Sequence, residues 1–330
     1  MKAKAVVFED RQRAVFREVE VPEPGPNDVV IDVDFSWISI GTESSYFRGE
    51  RIAGEVPYRE GGPWPFPIVA GYQKTGTVVR VGAAVEGLRV GDRVFATVSK
   101  VSRMFAPSGG HVSPAVTAAD QVWKLPEGAD PLDYAGLVLT QVGFNCGSRP
   151  PLAPGERAVV IGDGLVGQWA AQTLRHRGAE TVVLGRHDER LRYLPAGIDA
   201  VNTRRMTDGV VAAKLADASV SVLVDTVGDM ETVERLWPAL RHNGHLVSAG
   251  FLGERGSIDI QRMRGKELTL HTPSGWTKER MDRTLEGVSA GWLRTGELIT
   301  HRFPASRAAE AWDLIAGKKE AALGVILAWR

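Results

Sequence analysis

Apolar positions along the first 125 residues fall into short, closely spaced runs. Residues 4–8, 29–35, 76–81 and 93–98 are dominated by Val, Ile and Phe. Turn-forming clusters such as Pro22-Glu23-Pro24-Gly25-Pro26-Asn27 and Val90-Gly91-Asp92 separate them. Strands at this spacing predict an antiparallel barrel or sandwich. Residues 49–67 break the rhythm; rich in Gly and Pro and containing Trp64, they read as a long loop. After Leu152-Ala153-Pro154-Gly155-Glu156 the texture changes. Compact β runs at 157–161, 181–184, 220–224, 246–249 and 268–271 alternate with helical stretches, one of them at 169–177. Such alternation predicts an α/β arrangement with a parallel sheet covered on both faces. An amphipathic helix at 306–316 and a last strand at 324–328 close the chain and are free to return to the first domain.

Composition narrows the possibilities. A chain of 330 residues suggests two domains and a core that needs no covalent staples. Lys plus Arg and Asp plus Glu each total 40, which argues against a nucleic-acid partner, because neutralising phosphates takes a basic excess. The one cysteine, Cys146, cannot form an internal disulfide and suits a reducing cytoplasm. It also excludes a multi-thiolate zinc site built from this chain alone. No apolar run approaches the roughly 18 residues of a membrane span, so no membrane partner is expected.

The most informative segment follows the strand at 157–161. Gly162-Asp163-Gly164-Leu165-Val166-Gly167 spells G-x-G-x-x-G between a strand and a helix. There the glycines allow a tight turn, close backbone approach to a pyrophosphate, and close helix–strand packing. The helix N-terminus, at Leu165 and Val166, directs N–H groups and a positive dipole end toward phosphate. The second strand ends Gly185-Arg186-His187, where an NAD site places an acid for the adenosine ribose. Arg186, with His187 and Arg190 assisting, instead offers a grip for the 2′-phosphate of NADP. A solvated basic loop beside Asp188 and Glu189 is the plainer alternative.

With these residues in view, the whole chain resembles the medium-chain dehydrogenase/reductase superfamily. The resemblance rests on Gly71-Tyr72-Gln73-Lys74-Thr75-Gly76, Val90-Gly91-Asp92-Arg93-Val94, Gly109-Gly110-His111-Val112, Leu125-Pro126, Leu139-Thr140 and the glycine fingerprint. Ile38-Ser39-Ile40-Gly41-Thr42-Glu43 and Gly71-Tyr72-Gln73 look most like the branch holding the bacteriochlorophyll-pathway hydroxyethyl dehydrogenases. The resemblance implies a GroES-like β-barrel catalytic domain over 1–140 and 300–330, and a Rossmann doubly wound parallel sheet binding NADP(H) over 141–299. It places the active site in the cleft between them and implies a homodimer or homotetramer. It also shows departures. Ile40 stands at the family's zinc-binding cysteine, Tyr72 at its histidine, and Gly136 or Leu137 near its third ligand. Residues 95–110 lack the four-cysteine lobe. No metal is therefore expected.

Without a metal, the oxyanion formed as hydride moves needs another stabiliser. Thr42, Glu43, Tyr72 and Gln73 stand where the resemblance places the zinc site. Tyr72 is the preferred proton donor, with a packed aromatic as its alternative. Lys74 would lower that phenol's pKa if nearby, or else lie on the surface. Glu43 either contacts substrate or cofactor or pairs with an arginine. His111 reads as a proton relay or a surface histidine. Thr140 matches a threonine near the nicotinamide, or else caps a helix. Phe251 and Trp276 follow later strands, where ligands gather, or else pack in the core. Tyr46 and Trp64 sit on loops suited to shaping a pocket. The charged residues around 46–67 hint at a polar, sugar-like or polyol substrate, or simply face solvent.

Three functions fit. The first is a zinc-independent NADP(H)-dependent alcohol dehydrogenase or carbonyl reductase acting on a small carbonyl or alcohol. The second is a quinone or enone C=C reductase. The third is a non-catalytic NADPH-binding sensor.

Overall fold

A computed structural model describes residues 1–50, 66–104, 108–205, 219–252, 256–318 and 320–330. The chain divides into two compact units, Met1–Val138 with Thr295–Arg330, and Leu139–Arg294. The return to the first unit begins at Thr295, whose hydroxyl donates to the Asp133 carbonyl.

In the first unit, β1 (Lys2–Asp10), β2 (Arg13–Glu20) and β6 (Val112–Ser113) form one antiparallel sheet in the order β2-β1-β6. A seven-stranded sheet combines β3 (Asp28–Trp37), β4 (Lys74–Val81), β5 (Arg93–Ala96), β7 (Ala115–Ala118), β8 (Val122–Lys124), β15 (Ile299–Pro304) and β16 (Gly324–Ala328). Its path runs β15-β16-β3-β4-β5-β8, with β7 also paired to β3. The strand period of two explains the core. Ala3, Ala5 and Val7 of β1 pack with Val29, Ile31 and Val33 of β3, whereas Val6 and Phe8 enter a second cluster. That second cluster closes on the C-terminal helix Ala308–Gly317. Its Trp312 meets Phe8 edge-on at 4.8 Å between ring centroids and stacks on Phe47 at 5.0 Å.

The second unit holds a six-stranded, all-parallel sheet in the order β11-β10-β9-β12-β13-β14. Its strands are β9 (Arg157–Ile161), β10 (Glu180–Gly185), β11 (Ile198–Asn202), β12 (Val220–Asp225), β13 (Leu240–Ser248) and β14 (Thr269–His271). Ala158 and Val160 of β9 bury on one face, Val159 and Ile161 on the other. A strand covered on both sides must be apolar at every position, which is why these runs are continuous. The order reverses between β9 and β12, so the loops after their carboxyl ends flank a crevice. Sequence periodicity misses β2, β11 and the helix Ile40–Phe47. β13 starts at Leu240, well before its apolar run; its early His242 and Asn243 are exposed, and Asn243 takes a positive φ of 58°.

Candidate functional site

The glycine loop after β9 has the shape its sequence calls for. Gly162 sits at φ +120°, and a Cβ there would lie 2.2 Å from the Thr226 hydroxyl. A Cβ on Gly167 would lie 2.0 Å from the Gly162 carbonyl oxygen, so the helix Leu165–His176 packs against the turn through a hydrogen atom alone. Gly164 differs: nothing lies within 4 Å of its would-be Cβ. No side chain caps this helix at Gly164. Two glycines are thus demanded by packing and one by open space, which suits a pyrophosphate laid on the helix N-terminus, over Leu165 and Val166.

The loop carries an acid that the fingerprint leaves unspecified. The buried Asp163 Oδ2 accepts from Arg186 N at 2.6 Å, His187 N at 2.8 Å and His187 Nδ1 at 3.0 Å. Its Oδ1 accepts from Arg190 Nη1 at 3.4 Å. Burial works to raise the pKa of this carboxyl, yet the two backbone N–H groups and His187 hold it below its ordinary value. Gly185 is the necessary counterpart, since a Cβ there would come within 2.6 Å of the Asp163 Cβ. A glycine where an acid normally stands, preceded by an acid in the G-x-G, was the available sequence signal. Arg186 Nη2 pairs with Asp229 Oδ2 at 3.1 Å, and its side chain remains 58% exposed. The neighbouring wall ends in Val227 and Phe251, two exposed apolar residues after β12 and β13. Phe251 is therefore not a core residue. Trp276 is half-buried after β14, and Thr140 is buried inside the helix Leu137–Ser148 rather than at its cap.

In the first unit, the helix Ile40–Phe47 and the segments before β4 and β6 bring four candidates together. Tyr72 Oη donates to Ser39 Oγ at 2.5 Å, and the Thr42 hydroxyl also bonds the phenol. Ser39 is the N-cap of that helix, and its N–H donates to Glu43 Oε1 at 2.7 Å. Glu43 Oε2 meets His111 Nε2 at 2.8 Å, and both residues are fully buried. His111 Nδ1 lies 2.9 Å from Ser36 Oγ, which accepts from Trp329 Nε1 at 2.9 Å. An indole only donates, which favours a continuous chain. In it the Ser36 O–H points to His111 Nδ1 and the Nε2–H to Glu43.

This packing allows no extra atoms. Gly71, at φ +88°, faces the ring so closely that a Cβ would lie 2.7 Å from His111 Nε2. His111 is thus a buried hydrogen-bond partner of Glu43, not a surface histidine, and Glu43 pairs with it rather than with an arginine. Burial raises the Tyr72 phenol above its ordinary range, the Ser39 hydrogen bond opposes that, and the Glu43 charge adds to it.

Lys74 corrects two expectations at once. It is fully buried rather than on the surface, with Nζ donating to the Thr97 carbonyl at 2.5 Å. Burial lowers its own pKa to about 7, and the Tyr72 phenol is raised, not lowered. Tyr46 is a core residue beside Phe47. Trp64, and residues 51–65 of the loop read as polar, lie outside the described residues.

Residues 25–127 match the family model described as alcohol dehydrogenase GroES-like domain, and residues 166–289 match that described as zinc-binding dehydrogenase. The 2-desacetyl-2-hydroxyethyl bacteriochlorophyllide A dehydrogenase of Cereibacter sphaeroides is 28% identical, covering 100% of this chain and 99% of its own. Among solved structures, a putative zinc-binding dehydrogenase from Sinorhizobium meliloti bound to NADP superposes with a TM-score of 0.82 at 21% identity, covering 99% of each chain. An alcohol dehydrogenase from Escherichia coli complexed with NADH gives 0.84 at 22%, again over 99% of each. The chain belongs to the medium-chain dehydrogenase/reductase superfamily. It is an oxidoreductase of that superfamily.

The superfamily's zinc members set a test for this chain. Zinc takes thiolate, imidazole or carboxylate ligands. At the matching positions Ile40 packs against the apolar core, Leu137 is fully buried, and the Gly136 Cβ position abuts the Trp37 ring at 2.8 Å. Tyr72 offers a protonated phenol, hydrogen-bonded to Ser39, in place of an imidazole. Cys146 belongs to the other unit, and burial pushes its thiol up to about 12. Among the described residues, no three His, Cys, Asp or Glu side chains form a metal-holding group. The donor set does not fit zinc.

Proposed function

We propose that this chain is a zinc-independent, NADP(H)-dependent oxidoreductase that transfers hydride between the nicotinamide and a small carbonyl or alcohol substrate. The observation that carries this reading is the open, uncapped cradle at Gly164, beside the basic side chains of Arg186, His187 and Arg190. When bound, the nicotinamide supplies or accepts the hydride at C4. Every other part of the reaction falls to protein groups. The helix N-terminus at Leu165 and Val166 would hold the pyrophosphate, and Arg186 would grip the 2′-phosphate. Thr140, Phe251 and Trp276 would line the nicotinamide end in this reading.

Tyr72 would deliver the proton to the substrate oxygen as hydride reaches the carbon. It is a phenol at neutral pH and so carries a proton to donate, although burial, by raising its pKa, makes it a weaker acid than free tyrosine. Ser39 and Thr42 flank the phenol oxygen, and their hydroxyls would stabilise the phenolate by hydrogen bonding until solvent returns the proton. Glu43 and His111 act one layer further in; they fix Ser39 through its backbone N–H. The name of the Cereibacter relative, a dehydrogenase of a hydroxyethyl group, agrees with alcohol/carbonyl chemistry. The reading takes the active protein as a homodimer or homotetramer.

The test is NADPH oxidation against a panel of ketones, aldehydes and cyclic enones, with and without a chelator. Allylic alcohol from an enone, unaffected by chelation, is the expected product. A saturated ketone would transfer the assignment to C=C reduction. Loss of activity on chelation would overturn zinc independence, and tight NADPH binding without turnover would point to a sensor.

A further inference from the structure

The acid in the glycine loop is not used by the phosphate cradle, and its contacts point elsewhere. Asp163 lies one residue after Gly162, yet its carboxylate reaches the end of the second strand of the nucleotide fold. There it receives two consecutive backbone N–H groups, from Arg186 at 2.6 Å and His187 at 2.8 Å. It also receives the His187 ring at 3.0 Å and the Arg190 guanidinium at 3.4 Å. Four donors converge on a carboxylate that is 6% exposed. Its acceptor capacity is spent on the protein, so it has little left for a ribose hydroxyl.

These contacts decide where the nearby cations point. With its backbone N–H held by Asp163, Arg186 extends its guanidinium outward, where it is 58% exposed. Its ion pair there, with Asp229, is exposed on the Arg186 side only, and a phosphate dianion would compete with that carboxylate for the guanidinium. His187 and Arg190 are held on the same carboxylate, on either side of it. The fit is reciprocal: Gly185 leaves room for Asp163 and removes the acid that would repel a 2′-phosphate.

We infer that Asp163 is the positioning residue for 2′-phosphate recognition, holding the 186–190 segment so that its basic side chains are presented to the adenosine ribose. The inference rests on the NADP reading above. Asp163 touches no phosphate itself; it acts through Arg186, His187 and Arg190.

The test uses 2′,5′-ADP and 5′-AMP as probes, titrated calorimetrically into the full-length protein, its Asp163→Ala variant and its Asp163→Asn variant. Wild type is expected to prefer 2′,5′-ADP. Asp163→Ala should cut that preference about tenfold or more, the loss of one charge-assisted contact, while 5′-AMP affinity stays put. Unchanged 5′-AMP binding is a readout that general loss of structure would not leave intact. If Asp163→Ala binds neither probe, Asp163→Asn decides, because it keeps the side chain's size and loses its charge. A preference reduced at least about threefold in that variant supports the inference. Wild-type preference that survives in the deciding variant, or rises, refutes the role of Asp163 alone. Wild type with no preference for 2′,5′-ADP refutes the NADP reading and the inference with it.

Discussion

Replacing Gly164 by alanine separates a glycine kept for a ligand from one kept for the fold. In the free protein the new methyl meets nothing within 4 Å. The backbone, at φ −76° and ψ 178°, is extended and open to any residue. The variant should therefore be as stable as wild type, or gain about 0.4–1 kcal/mol from a less flexible unfolded chain. Gly167→Ala is the internal contrast. Its methyl would stand 2.0 Å from the Gly162 carbonyl oxygen, roughly an ångström inside the closest tolerable contact. Overpacking of that kind costs about 1–3 kcal/mol, because the helix and the turn must move apart.

Binding should invert the order of harm. A methyl at Gly164 stands where a pyrophosphate approaches the helix N-terminus, and hydrogen bonds to a charged group are worth about 1.5–3 kcal/mol each. Loss of even one weakens NADPH binding about tenfold to a hundredfold. Thermal unfolding without nucleotide and calorimetric titration with NADPH measure the two effects separately. A Gly164→Ala protein that binds NADPH within about twofold of wild type would refute the placement of the pyrophosphate. Reduced stability without nucleotide would refute the reading of that glycine as unconstrained.

Arg186→Ala should raise the KM for NADPH about tenfold or more and leave that for NADH nearly unchanged, as steady-state kinetics with both cofactors will show. Equal effects on both would remove Arg186 from 2′-phosphate recognition. Tyr72→Phe keeps the ring and loses the proton, so kcat should fall about 10²–10⁴-fold at unchanged NADPH affinity; a kcat within a factor of two would return Tyr72 to a packing role. Lys74 supplies a pH test. Its folded pKa, about 7, lies below the ordinary 10.5, so the unfolded chain takes up the proton first. Stability from this site is therefore lost as pH falls from about 10.5 to about 7, and is level below that. Lys74→Met should stabilise the protein near pH 7, by at most about 4 kcal/mol, and much less at pH 10, as denaturant titrations at both values will report. An equal effect at both would show that the buried amine pays no such desolvation cost.

Much of the architecture was legible in the chain. Strands with apolar residues on alternate or on all positions declare themselves because a side chain's face follows from its own place in the strand. The G-x-G-x-x-G spacing is equally local, joining strand, turn and helix within a few residues. Missing zinc donors at Ile40, Tyr72 and Leu137 could be read by comparison alone. The helix Ile40–Phe47 was not legible: it is short, and it is held by Glu43 reaching back to the Ser39 N–H rather than by an apolar stripe.

Pairings between distant residues belong to the tertiary structure. Glu43 meets His111 across 68 positions, and Trp329 reaches Ser36 across 293. Lys74 is buried because β4 lies inside the sheet, although a lysine in a strand of unknown neighbours reads as a surface residue. Asp163 looks like filler between two glycines until β10 is laid beside β9 and brings the backbone N–H groups of Arg186 and His187 to its carboxylate. Periodicity and glycine spacing are properties of neighbouring residues, so the sequence by itself determined the folds and the glycine turn before the helix Leu165–His176. The partner of each buried charge depends on which segments the folded chain brings together, and only the tertiary structure decided that.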